Sequence, residues 1–417
     1  MFAAQLFFYT AGQFLRLSWQ TFFPSPGIKR PSLKRVMVML VFLPLFAIVQ
    51  LIHWLGFLLD ELFFRGYHQV QIKEPVFVLG VPRSGTTFLH RVLAKNAGFT
   101  TFTTWECFFA PSIIQRKFWL GIAKVDRRIG RPLARSLNRI GQHLLAGLDG
   151  IHPTRMNATE EDYLALMPIL ASFILILPFP HGESIWRMGS FDRDLPEKER
   201  KKIMAYYKAC LQKHLYVHGT NKRLLSKNAA FASLAGSLCK TFPDGRFLCC
   251  MRDPLETLPS QLSAIKSGIE LFDAESQGPV YKEKMLALFP YYYTHLLETF
   301  PALAPGRHEF LRMTDLQKNL YETVSNTLEK LTIKTSPDFP AHLEKASEQA
   351  ANYVTRHHYS MEGAGLSEAE IKRLFKQVYD KYDFASTGLS EIVAIEAPRA
   401  THLTATTTNC SAESKPC

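Results

Sequence analysis

The chain has 417 residues, 47% of them hydrophobic and 21% charged, with 24 Pro and 23 Gly spread along it, which excludes collagen-like, coiled-coil and wholly disordered classes. That length allows two or three domains, or one large α/β domain with attachments. A net charge of +12 favours anionic partners such as phosphates, sulfates, acidic lipid or nucleic acid without choosing among them.

In chain order, residues 1–23 are apolar with scattered polar groups, and Val36 to Leu59 then runs 24 positions without a charge. As a helix that run reaches roughly 36 Å, enough for a bilayer core of about 30 Å. Pro44, Gln50 and His53 interrupt it, so a kinked helix or hairpin lying in one leaflet, or packed on the protein, competes with a spanning helix. Its late start and the lack of a small-residue cleavage site argue against a cleaved signal peptide. Lys29, Arg30, Lys34 and Arg35 precede the run and Asp60 and Glu61 follow it, which for a single span keeps the N-terminus cytoplasmic. A second membrane contact by residues 1–23 reverses that result, so the topology stays open.

From Glu74 the pattern becomes α/β. Pro75 to Gly80 is a short apolar run ending in glycine and Thr86 to Leu93 has helical spacing, giving strand, tight loop and helix. A second such unit covers Gly245 to Ala264, with RFLCCM as a buried strand and a following helix that Pro259 would kink. Two strand-to-helix units predict a parallel sheet flanked by helices. Helical stretches are expected over Glu160 to Leu177, Glu197 to Val217, Tyr281 to Phe300 and Asp315 to Leu331. Within the first, Leu164 to Leu177 is nearly all apolar and reads as a buried core helix, with one wall of a lipophilic pocket as the alternative. Basic residues Lys124, Arg127, Arg128, Arg131, Arg135 and Arg139 form either a solvated face or a contact for anionic headgroups. The seven cysteines show no CxxC spacing and include the vicinal Cys249 and Cys250, so neither a zinc site nor a disulfide framework is indicated and a reducing compartment is favoured. Asn157 and Asn409 begin glycosylation sequons that matter only in a lumenal domain. The expected organisation is a membrane-associated segment over 1–65, an α/β domain over 66–395 and a disordered tail over 396–417.

Gly80-Val81-Pro82-Arg83-Ser84-Gly85-Thr86-Thr87 sits between the first strand and helix, where backbone N–H groups converge on an anion. It matches G-x-x-x-x-G but has Thr86 where a nucleotide triphosphatase needs lysine, and a cation, Arg83, inside the loop. This segment resembles the 5′-phosphosulfate loop of sulfotransferases, P-[KR]-S-G-[TS]-[TS], carried on a P-loop-type α/β fold. Arg252-Asp253-Pro254 with Ser260 eight residues after the arginine is similar to that family's 3′-phosphate motif. Patches at Leu224 to Phe231, before Arg252 and at Tyr353 to Ser367 extend the likeness over much of Glu74 to Phe384, most closely to the broad group akin to carbohydrate, tyrosylprotein and bacterial enzymes.

The resemblance implies 3′-phosphoadenosine 5′-phosphosulfate as co-substrate and no metal. Ser84, Gly85, Thr86 and Thr87 are then expected at the 5′-phosphate, Arg83 at the leaving phosphate and transferring sulfuryl oxygens, and Arg252 and Ser260 at the 3′-phosphate. The plain alternative for Arg252 is an ion pair with Asp253. Glu106 in Thr-Thr-Trp-Glu-Cys lies where related enzymes place a catalytic glutamate, and His152 is the alternative general base. His90, inside the helix after the loop, reads as structural. Lys227 is a secondary candidate for contact with the sulfuryl group or acceptor, with a solvated lysine as the plain alternative, and by resemblance the late basic group Arg356, His357 and His358 is one for the nucleotide site; neither is counted among the site residues. The reading is a membrane-associated sulfotransferase acting on a hydroxylated lipid, sterol or glycan, with the cytoplasmic face preferred, a Golgi-type lumenal orientation as alternative, no nucleic-acid partner and an open oligomeric state. Rivals are a P-loop kinase or hydrolase using Mg-ATP and a non-catalytic anion-binding protein.

Overall fold

The computed structural model describes residues 2–133, 135–136, 158–274, 278–351 and 365–384. His152, Asn157, Arg139, Arg356 to His358 and the tail lie outside them. Two long helices open the chain, α1 (Phe2–Phe22) and α2 (Leu33–Phe63). Ser32 caps α2 by accepting from the Arg35 N–H at 3.0 Å, and the helix continues through Pro44. Ring contacts Phe7–Trp54 and Phe14–Phe46 set α1 antiparallel to α2 as a helical hairpin.

The sheet begins with β1 (Val76–Gly80), followed by α3 (Thr86–Leu93) on the bounds its spacing predicts. Then come β2 (Phe99–Thr100), α4 (Thr104–Phe109) and α5 (Ile113–Arg128). Leu164 to Leu177 is not the expected α-helix. It forms two 3-10 pieces, Asp162–Ile169 and Phe173–Ile176, with Pro168 in the first and Leu170 left-handed between them. Proline removes the N–H that an α-helix needs there, while burial follows composition: Leu164, Leu166, Leu175 and Ile176 are all in the core.

After α6 (Glu197–His218) come β3 (Arg223–Lys227), α7 (Ala235–Thr241), β4 (Arg246–Met251), α8 (Pro254–Leu271), α9 (Gly278–Thr299) and β5 (His308–Arg312). The expected helix over Asp315 to Leu331 is split at Asn319 into α10 (Met313–Lys318) and α11 (Leu320–Lys330). All strand pairs are parallel, in the order β2-β3-β1-β4-β5. The sheet thus grows to one side of β1 with β2 and β3 and to the other with β4 and β5, so the C-terminal end of β1 is the switch point at which open α/β sheets bind ligands.

Strand side chains alternate faces. Phe77, Leu79, Phe247, Cys249 and Met251 join a large core with α9, whereas Val76, Val78, Leu248 and Cys250 join a second core with α3 and α11. The vicinal cysteines therefore point to opposite faces of β4, and both are free thiols. The N-terminal hairpin contributes Leu6, Leu17, Met39, Leu43 and Phe57 to the larger core.

Candidate active site

The loop at the switch point is set by its own backbone. Ser84 donates to the Val81 carbonyl through its N–H at 3.3 Å and its Oγ at 2.7 Å, folding the chain over the end of β1. Gly85 is left-handed, and a Cβ there would lie 2.3 Å from Met313 Sδ. Arg83 is left-handed as well, at φ 70, a conformation that costs a non-glycine residue of order 1–3 kcal/mol and concentrates at functional loops. Ser84 and Thr86 are buried while Arg83 and Thr87 are exposed. The first N–H groups of α3 have no intrahelical partner and face this loop, which suits an anion.

The second motif begins where β4 ends, beside β1, with Gly80 in register with Cys250. Asp253 caps α8, its Oδ1 accepting from the Leu255 N–H at 2.8 Å and from the Tyr379 hydroxyl at 2.6 Å. The ion pair of Arg252 is therefore with Glu256, not Asp253: Nε lies 2.6 Å from Glu256 Oε2. Arg252 also donates to the Arg83 carbonyl at 3.2 Å, and Arg83 Nε donates to the buried Ser260 Oγ at 3.0 Å. The two motifs meet through their own side chains.

Glu106 sits in the first turn of α4 and is 1% exposed. Its Oε2 accepts from the Thr103 N–H at 2.9 Å and the Thr103 hydroxyl at 2.7 Å, and its Oε1 lies 2.5 Å from His218 Nε2. Arg116 Nε and His214 Nδ1 are each 3.6 Å from the same oxygen. Burial alone would raise its pKa, but the hydrogen bond from His218 and the Arg116 guanidinium hold the carboxyl well below the usual range. Burial drives His214 the other way, towards the neutral form. Glu106, His214 and His218 are the one group among the described residues with metal-ligand atoms within 4.8 Å of one another. The Arg116 guanidinium already supplies a cation there.

Lys227, at the end of β3 beside Val78, is buried and pairs with Glu161. His90 is fully buried, its Nε2 2.7 Å from the Thr101 hydroxyl, as expected of a structural histidine. The turn after Lys227 borders a small apolar crevice, with room for about one water, lined by Tyr163, Leu166, Phe173, Met188, Phe231 and Leu234 among others. The pairing partners of Glu106 were not read from the sequence, although His214 and His218, one turn apart on α6, carry the spacing that would have found them.

A model of the sulfotransferase family matches residues 75–338. The omega-hydroxy-beta-dihydromenaquinone-9 sulfotransferase Stf3 of Mycobacterium tuberculosis, and that of Mycobacterium bovis, is 21% identical over 317 residues, 74% of this chain and 75% of theirs. The crystal structure of sulfotransferase STF1 from Mycobacterium tuberculosis shares the fold with a TM-score of 0.65 at 18% identity, covering 88% of this chain and 92% of that one. STF9 from Mycobacterium avium does so with a TM-score of 0.64 at 15% identity, covering 91% and 96%. The matched span takes in the loop after β1, the arginine after β4 and the sheet that joins them, and the chain belongs to the sulfotransferase family.

Proposed function

We propose that the protein transfers a sulfuryl group from 3′-phosphoadenosine 5′-phosphosulfate to the hydroxyl of a lipophilic acceptor. The observation that carries this reading is the junction of the two anion motifs, with Arg83 Nε 3.0 Å from Ser260 Oγ and Arg252 3.2 Å from the Arg83 carbonyl. A nucleotide with phosphates on both ribose ends needs two neighbouring anion sites, and β1 and β4 each end in one. Bound there, the co-substrate supplies the sulfuryl group and a phosphate leaving group. Ser84, Gly85, Thr86 and Thr87 hold the 5′-phosphate by backbone N–H and hydroxyl donors, and Arg252 with Ser260 holds the 3′-phosphate. Arg83, freed from Ser260, neutralises charge on the leaving phosphate, work that preorganised cations do well in a dry site. Lacking a lysine at position 86, the loop is poorly equipped for the β- and γ-phosphates of ATP.

Glu106 is the proposed proton acceptor. Both its oxygens already have partners, so an acceptor hydroxyl must replace one of the two that are half-buried, the Thr103 hydroxyl or His218. The name of the mycobacterial relatives, which specifies a hydroxylated menaquinone derivative, supports a lipophilic acceptor. We place the enzyme at the cytoplasmic face of a membrane, drawing its acceptor from the lipid phase.

Calorimetry with adenosine 3′,5′-bisphosphate, ADP and Mg-ATP tests the reading. Binding of the bisphosphate in preference to both, lost in Arg252→Ala, is the expected result; preference for Mg-ATP overturns it.

A further inference from the structure

The N-terminal hairpin buries only one stripe of α2. Met39, Leu43 and Phe57 face the core, whereas Leu40, Val41, Ile48, Leu55, Leu58 and Leu62 are each more than half exposed. Only 17% of the most apolar part of this helix is buried, too little for the core helix of a soluble protein. A continuous apolar face of this kind is rarely left to water. It extends onto α1 through Phe8 and Leu15 and onto α5 through Phe118 and Val125, all exposed.

Spanning a bilayer requires α2 to leave the domain, and both its ends are tied down. Near the N-terminal end, the buried Arg35 donates to the carbonyls of Phe272 at 2.8 Å and Pro178 at 2.9 Å. Near the other end, Asp60, fully buried, accepts from Lys213 Nζ at 2.8 Å and from the Ile113 and Ile114 N–H groups at 2.9 and 3.0 Å. Between them, His53 Nε2 lies 3.2 Å from the Phe108 carbonyl, Trp54 donates to the Pro168 carbonyl at 3.1 Å, and a Cβ on Gly56 would lie 2.5 Å from Ser112 Oγ. The anchored stretch from Arg35 to Asp60 covers about 38 Å at 1.5 Å per residue, longer than a bilayer core. In a spanning pose the flank of the catalytic domain would have to enter hydrocarbon with it.

We propose that this face is a monotopic docking surface for an anionic bilayer, on which α2 lies in the plane of one leaflet with both its ends on the same side of the membrane. The choice of lipid over a second copy of the chain rests on charge. Exposed Lys29 and Arg30 stand ahead of α2, and exposed Lys124, Arg127 and Arg128 stand on α5 among the exposed apolar side chains, the mixture that in-plane helices present to acidic headgroups. This deepens the membrane reading above and does not depend on the sulfuryl chemistry.

The test uses the full chain, tagged at both termini and mixed with sealed vesicles of phosphatidylcholine alone or with phosphatidylglycerol. Flotation is expected with both and at least tenfold stronger with the anionic lipid at low salt, since each basic residue at the surface is worth roughly fivefold. Both tags should be cut by protease added outside. Leu40→Glu with Ile48→Glu and Leu55→Glu should lose flotation while binding adenosine 3′,5′-bisphosphate like the parent. Lys124→Glu with Arg127→Glu and Arg128→Glu, which leaves the apolar face intact, should lose only the anionic preference. A protected N-terminal tag overturns the proposal, as does a parent that stays at the bottom of the gradient as a dimer. Unchanged flotation of the triple glutamate variant does so too. If that variant misfolds, the charge-reversed variant decides: an undiminished anionic preference overturns the proposal. A protein that floats yet binds no bisphosphate sinks the sulfotransfer reading and leaves the docking surface standing.

Discussion

Arg252 can meet a nucleotide phosphate only by loosening its pair with Glu256, which is 55% exposed in its side chain. Exposed pairs of this kind contribute about 0.2–1 kcal/mol, so Glu256→Gln should tighten bisphosphate binding by up to about fivefold, whereas Arg252→Ala weakens it more than about tenfold. Calorimetry on the two variants checks both signs. Glu106→Gln carries the sharper question, because a carboxyl held so far below the usual range is a weak base until a donor leaves. With Glu106 as the proton acceptor, turnover falls by about 10²- to 10⁴-fold and bisphosphate binding persists; a variant that loses Tm but keeps turnover assigns the residue to its buried network alone. Asp162 shows the opposite displacement, pushed up to about 7 by burial although the Tyr207 hydroxyl donates to it at 2.6 Å. Between the ordinary carboxylate range and about 7 the folded chain holds a proton that the unfolded chain has lost, so this group's contribution to stability declines as pH rises across that window. Denaturant titrations of Asp162→Asn should lack that decline. The two motif loops were legible in the sequence because each is contiguous and its pattern is local. The link between them was not, since Arg83 and Ser260 are 177 positions apart and only the pairing of β1 with β4 brings them together.

At the level of elements, α3 and β4 were readable because their apolar pattern matches their period. The 162–176 stretch was not, because its composition is apolar on every side and Pro168 decides the backbone. β2, only two residues long, and β5, which is half polar, carry no strand signal of their own; they form because the neighbouring strand offers open hydrogen-bonding groups. α2 is held by an element-scale device, the Asp60 carboxylate placed between Lys213 and the N-terminus of α5, where helix dipole and ion pair act on the same oxygens. Asp60→Ala leaves the buried Lys213 uncompensated and should cost about 3–5 kcal/mol, much of it recovered by adding Lys213→Met. Chemical denaturation of the single and double variants measures this.

Over the whole molecule, the helical hairpin and the sheet share one core, with Leu6, Leu17, Met39 and Phe57 packed in the same cluster as Phe77 and Phe247. Each such side chain contributes roughly 1.5–3 kcal/mol by its burial, comparable to the whole margin of a folded protein once several are lost. A chain lacking residues 1–63 should therefore aggregate instead of yielding a soluble catalytic domain, which light scattering after expression would register. The placement of the cysteines has another use. Cys107, Cys210, Cys249 and Cys250 are all buried, and the neighbouring Cys249 and Cys250 look into different cores. No oxidant can join those two without unravelling β4. The same sulfurs answer an alkylating reagent only when the sheet opens. The rate at which they label, core by core, would time the loosening of each side of the sheet separately.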